Sequence, residues 1–208
     1  MTIAIDINDV IRDNLGQFLK VYQNNVDGNF ELELSEVTTN NMLDYYPFDG
    51  EESLAKFKYI DYPYELYGRA QCCDKMLPYI LNDWTEKTLK DVSEEYVPDI
   101  MFFSPFEIAL SIQSTFAFLS GNTFRPREVY FPINSMTIYD KADIVITAQP
   151  NLIKNCPEGK TVIKIEKSYN RDIETKYSFK SLKDLIQSGT DTIINILTHD
   201  DNGKLSEN

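Results

Sequence analysis

The chain has 208 residues, of which 42% are hydrophobic, 12% aromatic and 25% charged. That composition excludes a collagen-like repeat, a coiled coil and a disordered tail, and it supplies enough apolar material for a full core. With 20 Lys and Arg against 33 Asp and Glu, the net charge is −13, which repels phosphate backbones and anionic lipid, so neither direct nucleic-acid contact nor a membrane surface is expected.

Three cysteines, the adjacent pair Cys72 and Cys73 and the distant Cys156, match neither a disulfide framework nor a zinc spacing. The opening MTIAIDIND has no basic segment followed by an apolar stretch, and no apolar run approaches the ~18 residues of a membrane span. A cytoplasmic setting is expected.

In chain order, residues 2–5 form a short β-branched run ending at Asp6, a buried strand with polar groups at its carboxyl end. Apolar residues then recur at helical spacing from Val10 to Val26, and VDGN stops them. FELEL at 30–34 reads as a short strand or extended loop. Residues 27–95 are rich in tyrosine, acids and short helical patterns, punctuated by Pro47, Pro63 and Pro78, and read as a helical insert. Residues 99–104 are a second buried strand and 108–122 a helix closed by Gly121-Asn122. Residues 128–132, 142–147 and 160–165 are further strands. A helix is expected over 180–188, and 191–199 is a strand or helix of open type. Strands alternating with helices predict an α/β chain: an open, mostly parallel sheet of about five strands with helices on both faces. Ligands of such sheets sit at the carboxyl ends of the strands, where the strand order reverses.

Those ends carry Asp6, Asn8 and Asp9, then Ser104, then Lys141 just before a strand, then Thr147-Ala148. A strand-end aspartate suits nucleophilic attack on a phosphoryl group, and serine and lysine suit its oxygens. The alternative for each acid alone is a helix cap.

Asp6-Ile7-Asn8-Asp9-Val10-Ile11-Arg12-Asp13, the strand ending MFFSP with Ser104, and Lys141-Ala142-Asp143-Ile144-Val145-Ile146-Thr147-Ala148-Gln149-Pro150 together resemble the haloacid-dehalogenase-like (HAD) superfamily. Within it they are similar to the cytosolic 5'(3')-deoxyribonucleotidases, and the stretch from Gly159 to Tyr169-Asn170 is similar to the strand that follows. The resemblance implies a Rossmann-like core from residues 1–26 and 96–208, with 27–95 as an aromatic-rich cap. In that family the first aspartate is the nucleophile, the aspartate two residues later is the general acid/base, and an acidic pair after the later strand holds magnesium. Here Asp6 is kept, Asn8 stands at the acid/base place, and Thr147 and Ala148 replace the acidic pair.

An amide does not titrate near neutral pH, and magnesium has little affinity for a site with one carboxylate. The leading expectation is therefore a catalytically inactive HAD-fold protein with no catalytic residue, metal or cofactor. It would act as a structural or protein-interaction subunit of a larger assembly, meeting protein partners or its own copies through the aromatic insert. Since similar proteins occur in large tailed phages, a virion or tail component assembled in a host cytoplasm is a specific version. The alternative is a magnesium-dependent 5'-nucleotidase with Asp6 as nucleophile, Ser104 and Lys141 binding phosphate, and Asp6 with Asp9 and Asp143 as metal ligands. A third reading is a nucleotide sensor that binds without hydrolysis. His199 in the acidic tail and the Cys72-Cys73 pair read as a solvated residue and as packing residues.

Overall fold

The computed structural model describes residues 1–84, 99–188 and Ile196. The first strand, β1 (Thr2–Asp6), is buried along most of its length. The helix that follows, α1 (Asn14–Asn25), begins four residues later than the apolar spacing from Val10 suggests. The reason is local. Asp9 adopts a left-handed backbone with φ of 60°, and the chain folds back so that the Asp9 N–H donates to the Arg12 carbonyl and the Arg12 N–H to the Ile7 carbonyl. Asp13 then caps the helix by accepting from the Gly16 N–H at 3.0 Å.

The segment after α1 is built of short pieces. Residues 30–33 are extended without strand pairing, and 3-10 turns follow at Leu34–Glu36 and Met42–Asp44. Helix α2 (Gly50–Lys56) runs into wide turns at Phe57–Asp61 and Tyr64–Gly68, and α3 (Leu77–Asp83) closes the described part. Its aromatic residues build a small core on the outer side of α1. Phe18 meets Tyr46 at 4.7 Å between ring centroids, Tyr22 meets Tyr46 at 5.0 Å and Phe48 meets Phe57 at 5.1 Å. Tyr46, Phe57 and Tyr67 are buried, whereas Tyr64 and Tyr79 remain exposed, so much of the segment's aromatic content serves its own packing.

The remaining elements are β2 (Asp99–Phe103), α4 (Ala109–Gly121), β3 (Glu128–Tyr130), a 3-10 segment Ser135–Asp140, β4 (Ile144–Thr147), α5 (Pro150–Lys154), β5 (Thr161–Ile165), β6 (Tyr177–Phe179) and α6 (Leu182–Gln187). The strands form one sheet in the order β3-β2-β1-β4-β5-β6, and every pairing is parallel. The sixth strand adds to the five read from the sequence. It is a three-residue edge strand, too short for the alternation that marks a strand. The expected element at 191–199 lies outside the described residues except for Ile196.

Alternate side chains of the central strands feed two cores. Ile3, Ile5, Phe102, Ile144, Ile146 and Ile163 pack under α4 and α6 on one face, and Ala4, Met101, Phe103 and Val145 meet Ile138, Tyr139 and Leu152 on the other. Burial on both faces accounts for continuous apolar strands rather than alternating ones. No helix among the described residues is long and apolar enough to cross a membrane.

Candidate functional site

The strand order reverses between β1 and β4, so the crevice at their carboxyl ends is where a ligand of an open parallel sheet sits. Asp6 ends β1 there and is fully buried. Every oxygen of its carboxylate is engaged. Oδ1 accepts from the Asn8 N–H at 3.1 Å, and Oδ2 accepts from the Thr147 hydroxyl at 2.7 Å and from Gln149 Nε2 at 2.6 Å. Burial, opposed by these hydrogen bonds, pushes the Asp6 carboxyl up to about 7.

Beside Asp6 lies a closed ring of polar side chains. Asn8 Nδ2 donates to Ser104 Oγ at 2.9 Å, and Ser104 Oγ donates to Glu107 Oε1 at 2.5 Å. Glu107 Oε1 pairs with Arg12 Nη2 at 2.8 Å, and the same Nη2 donates back to Asn8 Oδ1 at 2.5 Å. Thr115 braces the ring, accepting from Arg12 Nη1 and donating to Glu107 Oε2, both at 2.6 Å. Arg12, Ser104, Glu107 and Thr115 are all buried. The guanidinium also sits 4.9 Å from the Tyr67 ring centroid and donates to the Tyr67 carbonyl at 3.1 Å, which ties the inserted segment to the sheet. A second tie runs from Gln17 Nε2 to the Glu65 carbonyl at 2.7 Å.

Asp9 is next to this ring but faces elsewhere. Its Oδ1 accepts from the Asn14 and Leu15 N–H groups at 3.0 and 2.9 Å, and its Oδ2 accepts from the Tyr169 hydroxyl at 2.8 Å. It therefore caps α1 from a left-handed position that aspartate tolerates better than most residues, and burial raises its carboxyl above the ordinary range. Asn170 stitches the ends of β4 and β5, donating to the carbonyls of Ala148 at 2.8 Å and Ile165 at 2.9 Å.

The lysine and aspartate that the enzymatic alternative needs for phosphate and metal are not at this edge. Lys141 and Asp143 precede β4, and because all strands run parallel they stand at the amino edge, the opposite side of the sheet from Asp6. Asp143 accepts from the Thr2 N–H at 2.9 Å and pairs with Lys160 at 3.1 Å. Lys141 lies over the Tyr130 ring at 4.9 Å and lines a surface groove with Thr2, Asp99 and Met101. Asp6, Asn8, Ser104 and Thr147 do converge, whereas Asp9 stands beside them turned to α1 and Tyr169 and Ala148 offers its carbonyl to Asn170. The sequence reading missed Arg12, Glu107 and Gln149. Each stands close to a strand-end residue in the sequence, Arg12 and Gln149 within the quoted stretches and Glu107 three residues after Ser104.

The fold family implies magnesium, and the residues present do not fit it. Asp6 ends β1 at the crevice, and its oxygens already accept three hydrogen bonds. Thr147 and Ala148 bring no charge. The Asn8 side-chain oxygen is held by a guanidinium, whose positive charge opposes a divalent cation. Among the described residues no group of three or more His, Cys, Asp or Glu side chains is arranged to hold a metal ion.

No protein-family model and no curated protein matches this sequence. Solved structures do. A haloacid-dehalogenase-like hydrolase of Burkholderia xenovorans is similar with a TM-score of 0.50 at 8% identity, covering 92% of this chain and 97% of that one. The HAD-hydrolase YfnB of Bacillus subtilis, solved bound to magnesium, is similar with a TM-score of 0.51 at 13% identity, covering 90% of this chain and 97% of that one. At these identities the likeness concerns architecture, and with the parallel sheet and its order it establishes that the chain has the haloacid-dehalogenase-like fold.

Proposed function

We propose that this chain is a HAD-fold protein without phosphoryl-transfer activity that works as a protein-interaction subunit of a larger assembly. The observation that supports the absence of phosphoryl transfer is the closed ring Asn8–Ser104–Glu107–Arg12. The resemblance assigns the Ser104 hydroxyl to the substrate phosphate, yet here it donates to an internal carboxylate that is itself paired with a buried arginine. A phosphate entering this place meets Glu107 as a like charge and has to displace it from its buried pairing with Arg12. Asn8 carries no exchangeable acid proton near neutral pH. The lysine and aspartate that the enzymatic alternative needs for phosphate and metal, Lys141 and Asp143, stand across the sheet.

Thermal unfolding of the full chain tests the reading through ligand binding. With magnesium or manganese, inorganic phosphate and nucleoside 5'-monophosphates, alone and together, the midpoint is expected to stay where it is. A midpoint that climbs with ligand concentration, as mass action requires of a ligand bound to the native state, and that stops climbing in Asp6→Asn, overturns it.

A further inference from the structure

Residues 106–108 are folded inside out. The charged residue Glu107 is buried at 6% exposure, while the apolar Phe106 and Ile108 on either side of it are each 53% exposed. A loop left to itself turns its acid to water and its aromatic ring inward. The backbone is unusual at the same place. Phe106 has φ of 65° and Ala109 φ of 22°, conformations that a bulky residue rarely adopts and that persist only where the surroundings impose them. What imposes them here is the burial of the carboxylate between them.

The groups that hold this carboxylate all come from outside the loop. Arg12 stands on the turn after β1, Ser104 just past β2 and Thr115 on α4. Arg12 Nη2 and Ser104 Oγ donate to Glu107 Oε1, and the Thr115 hydroxyl donates to Oε2. One guanidinium and two hydroxyls thus converge on a planar anion, the donor set that suits a carboxylate. The guanidinium is oriented without Glu107: it donates to the Tyr67 carbonyl and to Asn8 Oδ1, and the Tyr67 and Phe118 rings lie 4.9 and 5.5 Å from it. Taking Glu107 away would leave a buried cation and two hydroxyls aimed at one place.

We propose that the loop Pro105–Ile108 is a plug: Glu107 is the tethered occupant of an oxyanion pocket made by Arg12, Ser104 and Thr115, and the pocket takes a small free carboxylate when the loop withdraws. The loop is otherwise lightly held. The Phe106 N–H donates to the Pro132 carbonyl and the Ile108 N–H to Ser111 Oγ, both at 2.9 Å, and the exposed Phe106 and Ile108 add little packing, so the carboxylate is its main anchor.

The plug rests on the same closed site as the proposed lack of phosphoryl transfer, but its test reads anion binding and loop exchange rather than catalysis, so either can fail without the other. The full chain and its Glu107→Ala variant are titrated with formate against chloride at equal ionic strength, following the thermal midpoint and the hydrogen exchange of the loop amides. Formate should raise the midpoint of Glu107→Ala saturably, as mass action requires of a bound ligand, and leave the parent unchanged. The Phe106 and Ile108 amides should exchange at least about tenfold faster in Glu107→Ala, with or without formate, because a free anion fills the pocket without holding the loop. Glu107→Gln, which fills the place without charge, should also exchange faster at the loop and ignore formate, and it keeps the test open if Glu107→Ala does not fold. Thr115→Val in the Glu107→Ala background should weaken the formate response. A folded Glu107→Ala that formate does not stabilise overturns the pocket, and loop amides as protected in both Glu107 variants as in the parent overturn the plug.

Discussion

The carboxyl edge of the sheet and the outer face of α4 (Ala109–Gly121) lie close together, joined by the loop that carries Ser104 and Glu107, yet they are finished in opposite ways. At the edge, polar groups are buried and bound to one another: Asp6 by Thr147, Gln149 and Asn8, and Glu107 by Arg12, Ser104 and Thr115. On the helix face, apolar side chains stand in water with no charged residue among 109–121. A buried polar network with every member satisfied is rigid and leaves little for a substrate to bind, whereas exposed apolar area is unfinished until something covers it. The contrast sets a closed, hydrogen-bonded crevice beside an exposed apolar helix face.

The largest effect should come from opening the ring. Glu107→Ala removes one partner of a buried ion pair and leaves the Arg12 charge uncompensated, which should cost about 3–5 kcal/mol in urea unfolding. Formate, small enough for the vacated place, should restore part of that loss in the variant and none in the parent chain. A cost below about 1 kcal/mol would mean that the ring is not what holds the edge shut.

The next effect is set by pH. Asp6 rises to about 7 in the folded protein from an ordinary value of 3.8, so its contribution to stability is complete below about pH 4 and is lost as pH rises through 7, at most about 4 kcal/mol. Asp6→Asn removes this loss. The variant should match the parent near pH 4 and exceed it in denaturant unfolding near pH 8. Asp9, raised in the same direction, leaves some slope in the variant. An Asp6→Asn protein destabilised equally at both pH values would show that the Thr147 and Gln149 hydrogen bonds outweigh burial.

A smaller effect sharpens the comparison from a third place. The Tyr46 hydroxyl is buried in the aromatic cluster beside α1 without a hydrogen-bond partner, the reverse of the satisfied ring. Tyr46→Phe should therefore raise stability by up to about 1 kcal/mol in the same urea assay, and a loss of stability would point to a partner for that hydroxyl.

Much of this architecture was legible in the sequence because buried parallel strands are short β-branched runs with polar ends, as in TIAID and ADIVIT. The start of α1 was not. Val10 and Ile11 fit helical spacing, but the left-handed Asp9 turns the chain before a helix can form. Lys141 and Asp143 both precede β4 in the sequence, and the direction of that strand sets them at the edge opposite Asp6. Asp6, Asn8, Ser104 and Thr147 could be read because each ends or follows a strand. The Arg12–Glu107 pair could not, since its members are 95 residues apart and only the closure of β1 against β2 brings them together.

The most direct measurement is phosphate release from an aryl phosphate and a panel of nucleoside 5'-monophosphates, in magnesium and in manganese, with Asp6→Asn in parallel. The account predicts that the folded chain releases no more phosphate than the Asp6→Asn protein under any of these conditions. Metal-dependent release that disappears in Asp6→Asn would contradict it, and would mean that the ring around Glu107 opens to admit a substrate.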